Sequence, residues 1–135
     1  MNDAHGETVA TIEQCAHRAH AGTMSFGEVV QTLAASGVEA YFADYRGKAT
    51  TYYLATGQVV RVTLPAPAVP VAEAFDAASV QAAIRGAQSG EIKYPEFVQR
   101  TMSAGCMGYV VWIAGRHVQY FGRRGEAHVE HFPSK

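Results

Sequence analysis

The sequence predicts an α+β fold, with four helices packed on a mixed or antiparallel sheet of up to six strands. Three observations predict it. Apolar residues recur at helical spacing in four segments. Each pair of such segments is followed by three short runs of β-branched and aromatic residues with glycine between them. The whole pattern then repeats. At an offset of 68, residues 8–65 lie on residues 76–133 without a gap, and 12 of the 58 positions are identical. Composition alone gives roughly four or five. Gly22 falls on Gly90, Glu28 on Glu96, Gly37 on Gly105 and Tyr41 on Tyr109. Gly47 falls on Gly115, Tyr52 on Tyr120, Gly57 on Gly125 and Pro65 on Pro133. The expectation is an internal duplication of an α-α-β-β-β unit within a single domain, 1–135. Repeat one covers about 8–65, a Pro-rich connector about 65–75, and repeat two about 76–133.

The first helix is expected over Val9–Ala21, with Thr8 as N-cap and Gly22 as stop; Asp76 and Gly90 take those places in the second unit. The second helix starts at Ser25-Phe26-Gly27-Glu28, a capping box in which hydroxyl and carboxylate each take a free backbone N–H. Its counterpart opens Lys93-Tyr94-Pro95-Glu96, where proline in the first turn forfeits no helical hydrogen bond. Strands are expected over Val38–Tyr45, Thr50–Leu54 and Gln58–Leu64, then Cys106–Ala114, His117–Gly122 and Ala127–Phe132. The segment Pro65-Ala-Pro67-Ala-Val-Pro70 is stiff and extended and cannot continue a sheet interior. Met107–Ile113 is apolar in both alternating sets, which predicts a central strand covered on both faces.

Composition narrows the function classes. The chain has 135 residues, 48% apolar and 17% charged, with a formal net charge of -1. That balance implies no broad basic surface, so nucleic acid is not an expected partner. No apolar run reaches the roughly 18 residues that span a bilayer, and Met1–Glu7 lacks the layout of a signal peptide, so no membrane partner is expected. Cys15 and Cys106 read as small buried apolar residues, which predicts a reducing, cytoplasmic setting.

Several segments resemble the YbcV/YdfO-like family of bacterial and prophage proteins. They are His17-Arg18-Ala19-His20-Ala21-Gly22, Gly37–Tyr41 through Asp44-Tyr45-Arg46, and Thr51-Tyr52-Tyr53. In the second unit they are Ala104–Tyr109, Tyr120-Phe121-Gly122-Arg123 and Gly125–Pro133. Members of that family often carry the label of phage envelope protein without an established activity. The resemblance implies an α+β domain of unknown function and lends no catalytic residues.

There is no Walker A loop, no G-x-G-x-x-G after a strand, no H-E-x-x-H, no C-x-x-C and no G-x-S-x-G. The repeat supplies another filter. Residues shared by both units serve the fold, which assigns the paired tyrosines to packing and Glu28 and Glu96 to capping. Polar residues present in one unit are candidates for function. His17 and His20 share a helix face and could ligate a divalent metal with His128 as third ligand. Glu126, His128 and Glu130 alternate on a strand, a pattern suited to acid–base work or metal binding. Asp44, Arg46, Arg116 and His128 would rim a cleft between the two units. Arg123 and Arg124, beside glycine amides in a turn, could hold an anion.

The leading expectation is a noncatalytic module, without a cofactor, that binds a small molecule or a protein partner. A small metal-dependent or acid–base enzyme using Glu126, His128 and Glu130 is the alternative. A structural or assembly protein is the third, and a homodimer formed through an edge strand is compatible with each.

Overall fold

The structure, a computed structural model, describes residues 4–132. The elements run α1 (Ala4–His20), α2 (Phe26–Ala35), β1 (Val38–Asp44), β2 (Ala49–Leu54) and β3 (Val59–Thr63). They continue α3 (Ala77–Ser89), α4 (Tyr94–Ser103), β4 (Cys106–Trp112), β5 (His117–Gly122) and β6 (Ala127–His131). The bounds of α2 and α4, and of each strand and its counterpart, lie 68 residues apart. Pro133, the partner of Pro65 at that offset, lies outside the described residues.

Local chemistry sets the helix starts. At α2, Ser25 Oγ accepts from the Glu28 N–H at 3.1 Å, and Glu28 Oε1 accepts from the Ser25 N–H at 2.8 Å. At α3, Asp76 Oδ1 accepts from the Ser79 N–H at 3.2 Å, and Gly90 ends the helix with φ 81°. Helix α1 differs from expectation. It begins at Ala4, so Thr8 is an interior residue rather than the N-cap, and Glu7 supplies the negative charge of the first turn.

The strands form one antiparallel sheet in the order β3-β2-β1-β4-β5-β6. The two halves are joined by β1 and β4, with Ala40 opposite Trp112 and Asp44 opposite Gly108. Strand pairing therefore closes the junction where a cleft between units was expected. One sheet face carries Tyr41, Tyr52, Tyr109, Val111, Val118 and Tyr120, all buried. The helices cover that face with Ile12, Leu33, Val80, Ile84, Phe97, Val98 and Met102. Three tyrosine hydroxyls sit at the helix–sheet boundary and are satisfied there. Tyr45 meets Thr101 Oγ1 at 2.9 Å, and the Tyr94 and Tyr109 hydroxyls meet at 2.8 Å. Cys15 and Cys106 are buried and unbridged.

The opposite sheet face departs from expectation. Strand β4 is central, but it is covered on one side only. Trp112 on the other side is exposed, and Val110 and Phe42 beside it are half-buried. The apolar character of Met107–Ile113 therefore reports an open apolar face rather than a second helical layer. No helix of the described residues is long and apolar enough to cross a membrane.

Candidate functional site

The connector between Thr63 and Ala77 does not loop away. It crosses one end of the sheet and is pinned to it. The Leu64 N–H donates to the Lys48 carbonyl at 2.9 Å, the Ala72 N–H to Met102 at 3.0 Å and the Asp76 N–H to Ala104 at 2.8 Å. Arg123 Nη1 donates to the Val71 carbonyl at 3.3 Å, and Arg124 pairs with Glu73. Between this strap and the β1–β2 turn lies a shallow cleft of about 330 Å³. Its apolar wall is Tyr45, Pro67, Val69, Pro70, Val71 and Met102, and its charged groups are Arg46, Lys48 and Arg123.

The β1–β2 turn is shaped for this arrangement. Asp44 Oδ1 accepts from the Gly47 N–H at 2.9 Å. A Cβ at Gly47 would meet the Asp44 carboxylate, so a larger residue there would have to displace the side chain that caps the turn. Lys48 then takes φ 56°, a left-handed conformation unusual for a residue with a side chain. The turn thus presents Arg46 and Lys48 to the cleft. Among the described residues none of the three cations forms an ion pair. Three unneutralised cations beside an apolar wall suit an anionic group on an apolar body.

The other expected rim residues lie elsewhere. Asp44 is consumed as the cap of its own turn. Arg116 belongs to the β4–β5 turn, beside the start of β1, whereas Arg46 follows the end of β1. The two are separated by at least four residues of strand rise, roughly 14 Å. Arg116 lies 5.5 Å over the Phe132 ring. His128 is on the far edge strand, three strand spacings or about 14 Å from β1.

Glu126, His128 and Glu130 do not act as one row. Glu126 precedes β6 and folds back, its Oε1 accepting from the Arg124 N–H at 2.9 Å. His128 and Glu130 do share a side. It is the helix-covered side, because His128 lies opposite the buried Tyr120. His128 Nε2 meets Glu130 Oε2 at 2.8 Å, and since a carboxylate only accepts, Nε2 carries the proton. Arg85 of α3 reaches down to Glu130, with Nη1 to Oε1 at 3.1 Å and Nη2 to Oε2 at 3.5 Å. Burial raises the Glu130 pKa, but the hydrogen bonds from His128 and Arg85 outweigh it and hold the carboxyl below its ordinary value. The cluster is a latch between α3 and the edge strand, with both Glu130 oxygens engaged.

His17 is exposed near the end of α1. His20 is half-buried with its ring edge toward Tyr94 at 6.0 Å, and its Nδ1 has no hydrogen-bond partner. Among the described residues no three His, Cys, Asp or Glu side chains gather in a set that could hold a metal. His17, His20 and His128 therefore do not converge as ligands.

Arg85, Lys48 and the connector's contribution to the cleft escaped sequence reasoning. Arg85 carried no signal, since one arginine on an Ala-rich helix reads as solvated. Lys48 had a faint one, a cation directly after a turn glycine that already follows Arg46.

A family model described as a protein of unknown function (DUF1398) matches residues 49–130. That span runs from β2 to β6 and holds Arg85, Arg123, His128 and Glu130; Arg46 and Lys48 fall just before it. The uncharacterised proteins Mb2035 of Mycobacterium bovis and Rv2012 of Mycobacterium tuberculosis are each 34% identical to this chain over 59 residues. The stretch covers 44% of this chain and 36% of either relative, so the chain matches about a third of their length.

Proposed function

The chain belongs to the DUF1398 family, whose function is unknown, and from that premise we propose that it is a noncatalytic binding module whose connector cleft takes a small organic anion. The observation that carries this reading is the convergence of Arg46, Lys48 and Arg123 on one cleft without an ion-pair partner among the described residues. Charge-assisted hydrogen bonds to a carboxylate or phosphate would neutralise these groups. Tyr45, Val69, Val71 and Met102 would receive the apolar part of the ligand. The resemblance of Thr51-Tyr52-Tyr53 and Gly125–Pro133 to YbcV/YdfO-like proteins supports a role as a prophage-associated accessory protein.

The test is calorimetric titration with phenyl phosphate, benzoate and the neutral benzyl alcohol. The anions should bind at one site with a Kd of roughly 10 µM to 1 mM, weakening as salt is added. Arg46→Ala combined with Arg123→Ala should abolish that binding while the far-UV dichroism is unchanged. Equal binding of benzyl alcohol, or retention of binding in the double variant, overturns the reading.

A further inference from the structure

We infer that the open face of the sheet is the contact surface for a second copy of this chain, packed sheet to sheet. The face has the anatomy of a protein interface. Phe42 and Val110 lie opposite each other at its centre, on the two strands that join the halves. Around them stand Tyr53 and Trp112, each 39% exposed, with Val129 at 42% and Val59 at 57%. Four of the five large apolar residues that the described chain exposes are therefore on this one face. The polar residues on that face include Thr51 opposite Phe42, Gln119 opposite Val110, Arg61 and Thr63 on edge strand β3, His131 on edge strand β6 and His117 at the start of β5. Aromatic and aliphatic side chains with a single Lys or Arg among them match the charge-depleted, aromatic-rich composition of protein–protein contacts.

Trp112 is already prepared for burial. Its Nε1–H donates to Gln119 Oε1 at 2.9 Å on the neighbouring strand, and its ring leans over His117. Covering it therefore strands no donor. The area suffices. Six strands about 4.8 Å apart and five to seven residues long present roughly 550 Å² of sheet, so two copies would bury about 1,100 Å² together. That exceeds the roughly 1,000 Å² a specific interface needs. Two antiparallel sheets pack face to face through such side chains in β-sandwiches. The helices occupy the other side of each sheet, so the arrangement closes after two copies rather than propagating.

Single-stranded nucleic acid is the competing occupant of an aromatic sheet face. It is disfavoured because Arg61 is the sole Lys or Arg among the strand residues facing that side.

The experiment follows the full chain by sedimentation velocity and by fluorescence. Trp112 is the only tryptophan, so its emission reports this face alone. The protein should sediment as a dimer at high micromolar concentration. Dilution should bring both dissociation and a red shift of Trp112 emission over the same range. Val129→Arg, on an edge strand where folding tolerates charge, should raise the dissociation constant by roughly thirtyfold or more, as does loss of an anchor. Trp112→Arg should act likewise. If Trp112→Arg does not fold, the wild-type dilution and Val129→Arg decide the matter. A monomer at every concentration overturns the inference, as does a dimer that persists in Val129→Arg with Trp112 still solvated. Saturable quenching of Trp112 by an oligouridylate, with no self-association, assigns the face to nucleic acid instead.

Discussion

Replacing Gly105 by alanine, with Gly37→Ala as an internal control, separates backbone strain from steric conflict. The two glycines occupy equivalent places after α4 and α2, with φ 91° and 90°. Their surroundings differ. A Cβ at Gly37 meets nothing within 4 Å, whereas one at Gly105 would overlap the Ala74 carbonyl oxygen and lie 2.8 Å from Phe75 Cα. Left-handed strain costs about 1–2 kcal/mol for an L-residue. Stiffening of the unfolded chain returns about 0.4–1 kcal/mol, so Gly37→Ala should cost about 1 kcal/mol. Gly105→Ala bears the same strain and must also push the connector outward. That threatens the Asp76–Ala104 and Ala72–Met102 backbone hydrogen bonds, each worth about 0.5–1.5 kcal/mol. It also exposes part of Val71, adding about 1 kcal/mol. The expected cost is about 3–5 kcal/mol. Urea unfolding followed by dichroism should lower the midpoint by about 1–2 M for Gly105→Ala, and by about half a molar or less for Gly37→Ala. Costs agreeing within about 0.5 kcal/mol would refute the claim that the connector is clamped against the sheet end. Phenyl phosphate binding should fail in Gly105→Ala and survive in Gly37→Ala, because the clamp forms the cleft.

Three further outcomes follow from the titratable groups. The folded-state pKa of Glu130 is held below its unfolded value, so its stabilisation is present above the unfolded value and is lost as pH falls through the folded one. Glu130→Gln should therefore cost about 1 kcal/mol at neutral pH, Arg85 being half exposed, and progressively less as the carboxyl is protonated in acid; a deficit that does not shrink with falling pH would contradict the latch. Burial pushes the phenols of Tyr41, Tyr45, Tyr52, Tyr109 and Tyr120 upward, and Tyr94 to about 12. Raised folded values mean stability is lost as pH climbs above the unfolded value near 10, so phenolate absorbance should rise together with loss of near-ultraviolet dichroism. Tyr94→Phe should cost about 1–3 kcal/mol by leaving the Tyr109 hydroxyl buried and unpaired, measurable in urea; a change below about 0.3 kcal/mol would count against that contact.

Local chemistry carried most of the fold. The Ser25–Glu28 capping box, Asp76 as N-cap and the glycine turns are short-range devices, and each is visible in a few consecutive residues. The site was less legible because it depends on where distant segments meet. Glu126, His128 and Glu130 alternate in sequence, yet Glu126 is drawn to the free Arg124 amide of its hairpin. Asp44 is claimed by Gly47 in the same way: a carboxylate next to a glycine turn finds backbone N–H groups before it finds a ligand. Glu130 is held by Arg85, 45 residues away in sequence, a pairing that only the placement of α3 over β6 creates. The apolar alternation of β4 could not distinguish burial under helices from an open face, since both demand the same residues.

The β1–β4 junction has one more implication. The halves meet as two subunits would, through the β1–β4 pair and side-chain contacts such as Tyr45–Thr101 and His20–Tyr94, but the connector holding Pro65–Pro70 tethers them. A tether of that length turns association into an intramolecular event at millimolar effective concentration. The seam can therefore be weaker than a dissociable interface and still remain shut. Neither half has to be self-sufficient, and the strap that guarantees their meeting is the same segment that walls the cationic cleft.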